Sequence, residues 1–139
     1  MKPPTIMLVE DNDANRELME DLLDVAGFGV AAFPSGEEGL AWLEGNTPSL
    51  ILMDINLPGR DGLALTREIK ARPETAGVPV VAVTAYAMKG DRDRILAAGC
   101  DGYLSKPIDV QQFPAQIGRF LRSAECGMTR PQTATSNVE

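Results

Sequence analysis

Leu50-Ile51-Leu52-Met53-Asp54 is the stretch that decides the fold. Its apolar residues run without alternation and stop at a carboxylate. A short unbroken run of this kind suits a strand covered on both faces, as the central strands of a parallel sheet are. Thr5–Val9 and Val80–Val83 read the same way. Phe28–Phe33, with Gly29 and small alanines, and the short, more polar Tyr103–Ser105 suit edge strands.

Helical patterns fill the intervals. The first covers about Ala14 to Ala26, with Leu18, Leu22, Val25 and Ala26 on one face and Gly27 as its stop. Ser35 is placed to cap a second helix that turns Leu40 and Leu43 inward, with Trp42 in its core or at its rim. A third, about Gly62 to Arg72, carries Leu65 and Ile69, and Pro73 lies just beyond. The fourth holds Ile95, Leu96 and Ala98 before Gly99. The last is expected to line up Val110, Phe113, Ile117, Phe120 and Leu121. Pro114 and Gly118 predict a late start, a kink or fraying there. With right-handed crossovers, five βα units in series give an α/β fold, a flavodoxin-like doubly wound five-stranded parallel sheet of order 2-1-3-4-5 with five helices. Periodicity fades after Ser123, so one domain is expected over 1–123 and a flexible tail over 124–139, with no room for a second domain.

A net charge of −7 without clustered Lys or Arg argues against nucleic acid as a partner. Neither a membrane-length apolar run nor a signal-peptide layout is visible, so a cytoplasmic location is expected. Histidine is absent altogether, which removes Ser-His-Asp and Cys-His catalysis, His-rich zinc sites and a phosphohistidine carrier. Cys100 and Cys126 are too far apart for a CxxC pair; free thiols are expected, Cys100 as packing. Gly27 to Ala32 matches a loose GxGxxA pattern, but it leaves a helix and enters a strand, the reverse of the dinucleotide context.

In an open parallel sheet, ligands bind beyond the carboxyl ends of the strands. Glu10 and Asp11 follow the first strand, Asp54 closes the third, Thr84 the fourth, and Lys106 follows the fifth. Crowded carboxylates raise one another's pKa unless a cation joins them, and such a set suits Mg²⁺. Thr84 and Lys106 suit phosphoryl oxygens, which leaves Asp54 as a nucleophile able to form an acyl phosphate.

These positions carry a resemblance. Val9-Glu10-Asp11-Asn12, Leu52-Met53-Asp54 with Leu57-Pro58, Asp61-Gly62, Val83-Thr84-Ala85 and Tyr103-Leu104-Ser105-Lys106-Pro107 together resemble a response-regulator receiver domain over roughly Thr5–Leu121. Pro79–Pro107 is similar to stand-alone receivers of the DivK type and to receivers of hybrid kinases. The resemblance implies that Asp54 is the phosphoacceptor. It implies that Glu10, Asp11, Asp54 and the backbone carbonyl of Asn56 hold Mg²⁺ or Mn²⁺, that Thr84 and Lys106 bind the phosphoryl group, and that Thr84 and Tyr103 form the switch. A cis bond before Pro107 is implied too, as are a sensor histidine kinase or phosphotransfer protein as donor, a downstream protein target, and a monomer or weak dimer. Tyr86, two beyond Thr84, is expected to slow self-dephosphorylation. Glu10 stands where chemotaxis-type receivers commonly have Asp, lengthening one arm of the site.

Each residue has a plainer reading in isolation. Glu10, Asp11 and Asn12 make a helix N-terminal cap with favourable charges, Asp54 a turn carboxylate, Thr84 a strand-end hydroxyl, Lys106 a solvated surface cation and Tyr103 a static packing residue. Convergence at one crevice is what favours the chemical reading of a phosphoacceptor switch over a turnover enzyme. Two alternatives remain. A haloacid-dehalogenase-type phosphatase would want its nucleophile on the first strand and a second Asp two residues on, where this chain has Asn56. A phosphorylation-silent interaction module would keep the fold without the chemistry.

Overall fold

In the computed structural model, residues 4–55, 61–85 and 89–125 are described, without side chains at 89–91 and 123–125. The elements are β1 (Thr5–Val9), α1 (Asp13–Val25), β2 (Gly29–Phe33), α2 (Gly36–Leu43), β3 (Leu50–Asp54), α3 (Gly62–Ala71), β4 (Val80–Thr84), α4 (Lys89–Ala97), β5 (Gly102–Ser105) and α5 (Phe113–Glu125). All strand pairs are parallel, and the order is β2-β1-β3-β4-β5, as the sequence predicts. Residue by residue, β1, β3 and β4 are almost wholly buried.

Alternate residues of each central strand feed two cores. Met7, Val9, Ile51, Met53, Val80 and Ala82 face α2, α3 and α4, meeting Leu40, Leu43, Leu65, Ile69 and Ile95. Ile6, Leu8, Leu50, Leu52, Val81 and Val83 face α1 and α5, meeting Met19, Leu23, Phe113 and Ile117. Cys100 packs in the first core, and Trp42 lies at its rim against Phe33, ring centroids 5.7 Å apart. Burial pushes the Cys100 thiol up to about 11, against the opposing hydrogen bond with Thr66, so it behaves as a small apolar group. Cys126 lies outside the described residues.

The predicted stops and caps are in place. Gly27 and Gly99 take positive φ (94° and 104°) after α1 and α4. The Ser35 side chain accepts from the Glu38 amide at 3.3 Å, and Asp61 accepts from Leu63 at 3.0 Å at the start of α3.

Three readings of helix faces and ends are corrected. On α1 the buried residues are Met19 and Leu23, with Leu22 half-buried; Leu18 is exposed, Val25 is 86% exposed, and Ala26 is exposed beyond the helix. The inward face is rotated by one residue, because apolar series at 18/22/25 and 19/22/23 both fit the helical period. Val110 is exposed and precedes α5. The Asp109 side chain accepts from the amides of Gln111 and Gln112 in a turn, so the helix starts at Phe113. This is the late start that Pro114 predicts: at the second helical position its missing amide costs nothing, since the first four amides have no intrahelical acceptor. Finally, α5 runs on to Glu125, two residues past Ser123; residues 126–139 lie outside those described.

The corrected α1 face is testable. Leu23→Ala should lower the free energy of urea unfolding by about 2–5 kcal/mol, the cost of a core truncation. Leu18→Ala should cost less than about 1 kcal/mol, as surface changes do. Equal losses would contradict the observed rotation.

Candidate functional site

The carboxyl ends of β1, β3, β4 and β5 open on one crevice. Glu10 extends the β1–β2 ladder by one bond, its amide donating to the Phe33 carbonyl at 3.0 Å, and then the chain turns into α1. Asn12 caps that helix by accepting from the Asn15 amide at 2.9 Å, so the plain capping reading of this loop holds for Asn12 while the two acids face elsewhere. Asp54 is the last residue of β3, paired with Val83, and Thr84 is the last of β4, paired with Ser105. The Lys106 amide donates to the Thr84 carbonyl at 2.8 Å, which ties the two strand ends together. The Lys106–Pro107 peptide is cis.

Glu10, Asp54 and Thr84 are buried, and Asp11 is exposed at the rim. The Lys106 ammonium, at the mouth, lies 3.3 Å from Asp54 Oδ2 and 3.2 Å from Glu10 Oε1. Carboxylate oxygens of Glu10, Asp11 and Asp54 all lie within 4.8 Å of one another. Five predicted residues are thus gathered at one strand edge. Tyr103 is not among them. It lies half-buried against the core on the α2, α3 and α4 side, with its hydroxyl accepting from Arg92 Nη1 of α4 at 3.4 Å. Asn56 and Tyr86, the carbonyl ligand and the shielding ring, fall outside the described residues, as do Leu57 and Pro58.

Two buried acids facing one ammonium leave the pocket short of positive charge. Burial, then the Asp54 charge and hydrogen bond, push the Glu10 carboxyl up to about 7, with Lys106 only partly opposing. Burial works against the Lys106 charge, but Asp54 and Glu10 outweigh it and hold the ammonium above its ordinary value. Glu10 Oε1 is buried and takes no hydrogen bond among the described residues. A buried carboxylate oxygen that faces an ammonium at 3.2 Å yet takes no hydrogen bond among the described residues, flanked by two further carboxylates, fits a hard divalent cation.

Sequence reasoning missed two contributors. Gly62 packs directly on the β3 exit: a Cβ there would overlap the Asp54 carbonyl and the Ile55 Cα. Arg16 is 18% exposed and donates to the Glu10 carbonyl at 3.0 Å and to Asp13 at 2.6 Å. Its only signal in the sequence is the Asp13–Arg16 spacing of an i,i+3 ion pair.

Comparison with known proteins agrees with this geometry. The response regulator receiver domain family matches residues 6–118. The polar-differentiation response regulator DivK of Brucella anthropi is 43% identical over 122 residues, 88% of this chain and 99% of that protein. The receiver domain of a sensor histidine kinase from Pseudomonas aeruginosa, solved with a magnesium ion coordinated in its active site cleft, is 36% identical. It superposes with a TM-score of 0.80, over 87% of this chain and 99% of its own. A chemotaxis response regulator of Vibrio cholerae, 21% identical, shares the fold with a TM-score of 0.80 over 84% of this chain and 98% of its own.

The raised Glu10 group sets a pH dependence. Between its ordinary value of 4.5 and about 7, the folded metal-free protein keeps a proton that the unfolded chain has released. The stability that proton contributes is fully present below 4.5 and is lost as pH rises through 7. In EDTA, the urea midpoint of the protein relative to Glu10→Gln should therefore fall from pH 5 to pH 8. A difference that stays flat across that range would rule out the shift.

Proposed function

The chain belongs to the response-regulator receiver family of two-component signalling, and on that premise we propose that Asp54 is its phosphoacceptor. The donor is a sensor histidine kinase or a phosphotransfer protein. Glu10, Asp11 and Asp54, with the backbone carbonyl of Asn56, hold Mg²⁺ or Mn²⁺. The observation that carries the reading is the Lys106 ammonium 3.3 Å from Asp54 Oδ2 and 3.2 Å from Glu10 Oε1, so that two buried carboxylates share one positive charge.

Asp54 attacks the phosphorus of the donor phosphoramidate. A new O–P bond forms, the N–P bond breaks, and the departing nitrogen keeps the electron pair and takes a proton. A bound divalent cation would neutralise the carboxylates and the phosphoryl oxygens during that displacement. Lys106 offers a point charge to one phosphoryl oxygen, and Thr84 offers a hydroxyl to another. Before the donor arrives, the ammonium stands 3.3 Å from Asp54 Oδ2, where it can meet an incoming phosphoryl oxygen. The crevice has the elements of a single transfer and storage of the group, which is a switch rather than a turnover enzyme. In the same proposal Thr84 and Tyr103 carry the change to a protein-binding surface. The domain runs to the end of α5 with a tail beyond it, and the chain works in the cytoplasm as a monomer or weak dimer upon a downstream protein.

Phosphoramidate or acetyl phosphate with Mg²⁺ should add one phosphoryl group to the intact protein by mass spectrometry. EDTA or Asp54→Asn should abolish it. An adduct that survives in Asp54→Asn would place the acceptor elsewhere. No adduct from either donor would make the chain a silent module, and steady release of product from an aryl phosphate would make it a phosphatase.

A further inference from the structure

The loop that carries Glu10 and Asp11 is short, only Glu10 to Asn12 between the end of β1 and the start of α1. It is held from several sides. The Glu10 amide is fixed to Phe33 at 3.0 Å, and the Asn12 amide donates to Glu10 Oε2 at 3.3 Å. The Glu10 carbonyl faces helix α1, where Arg16 Nη1 donates to it at 3.0 Å. The other guanidinium nitrogen is anchored 2.6 Å from Asp13, and the Arg16 amide donates to the Asn12 carbonyl at 2.9 Å. One side chain therefore fastens the first turn of α1 to the peptide that follows Glu10, just beyond β1.

That peptide links Glu10 to Asp11. With the backbone held on either side, by Phe33 at the Glu10 amide and by Glu10 Oε2 and the Arg16 amide at Asn12, the orientation of this planar peptide sets the ψ of Glu10 and the φ of Asp11 together. Those two angles set the direction in which the Asp11 carboxylate leaves the backbone relative to Glu10. We infer that Arg16 is a positioning residue for the divalent-cation site, setting the Glu10–Asp11 peptide so that both carboxylates meet the cation. The inference rests on the proposed metal-binding role of the crevice. Arg16 acts through the peptide and does not touch the cation.

The test is Mg²⁺ affinity of the full-length chain by isothermal titration calorimetry, at a temperature where circular dichroism shows each variant fully folded. A purely structural role would lower the urea midpoint and leave the dissociation constant of the folded protein unchanged. Arg16→Met should raise that constant about five- to tenfold, the weight of one lost charge-assisted hydrogen bond. Arg16→Lys, which keeps the charge and one donor but lacks the fork, should fall between the two and serves if the Met variant does not fold. Arg119→Met, the same charge change at an exposed site on α5, should leave the constant unaltered.

Arg16 variants within about twofold of the parent, well under one hydrogen bond's worth, would overturn the inference. So would an equal effect from Arg119→Met, because diffuse charge would then be the cause. A parent protein that binds no Mg²⁺ would instead remove the metal site itself, and the Arg16 inference with it.

Discussion

The Lys106 ammonium, reaching from the end of β5 across to Asp54 on β3 and Glu10 beyond β1, is the interaction on which the crevice depends. Two carboxylates cannot share a buried pocket without a counter-charge, and one ammonium at about 3 Å does not balance both. Burial first and the Asp54 charge second raise the Glu10 carboxyl to about 7, and the two acids hold the Lys106 ammonium above its ordinary value against the effect of burial. A pocket in that condition takes up positive charge readily. It also tolerates the oxygens of a phosphoryl group only with that charge present. The chemistry proposed for Asp54 and the electrostatic cost of folding the empty pocket therefore have one origin.

The sheet makes this cost bearable. Each side chain of the proposed site sits at the end of a strand or within two residues of it, and the central strands beneath them are almost wholly buried between two layers of helices. Close packing leaves those strands little room to slide, so the groups at their ends keep their spacing despite the repulsion among them. Contacts at the ends reinforce this. Gly62 lets α3 press on the backbone of Asp54 and Ile55, and the Lys106 amide bonds the Thr84 carbonyl at 2.8 Å.

The sequence made legible what depends on pattern and left dark what depends on contact. Unbroken apolar runs located β1, β3 and β4, and the polar residue following each run located Glu10, Asp54 and Thr84. The inward face of α1 was not decidable, because Leu18 and Met19 begin equally good apolar series and only docking on the sheet selects Met19 and Leu23. Val110 belonged to the helical period of α5, yet the turn organised by the Asp109 side chain takes precedence. Arg16 reads as one half of a surface ion pair; its bond to a carbonyl six residues back has no signature in residue type. Lys70 and Asp101, thirty-one residues apart and joined at 2.9 Å, were equally invisible for the same reason.

Under the switch proposed above, Tyr103 is the residue through which an event in the crevice would leave it. β5 is an edge strand whose single strand neighbour is β4, and the two are bonded again just past their ends, where Lys106 meets Thr84. Lys106 follows this strand, and three residues earlier Tyr103 turns to the face covered by α4, where Arg92 holds its hydroxyl at 3.4 Å. In that proposal a charge added at Asp54 changes the pull on Lys106 and on Thr84 together, and both act on β5, an edge strand with one strand neighbour. The neighbouring strand β4, fixed on both sides by β3 and β5, cannot follow as far. Displacement is therefore expected to concentrate in β5 and its contact with α4, because β4 is bonded on both sides and β2, the other edge, is separated from Asp54 by β1.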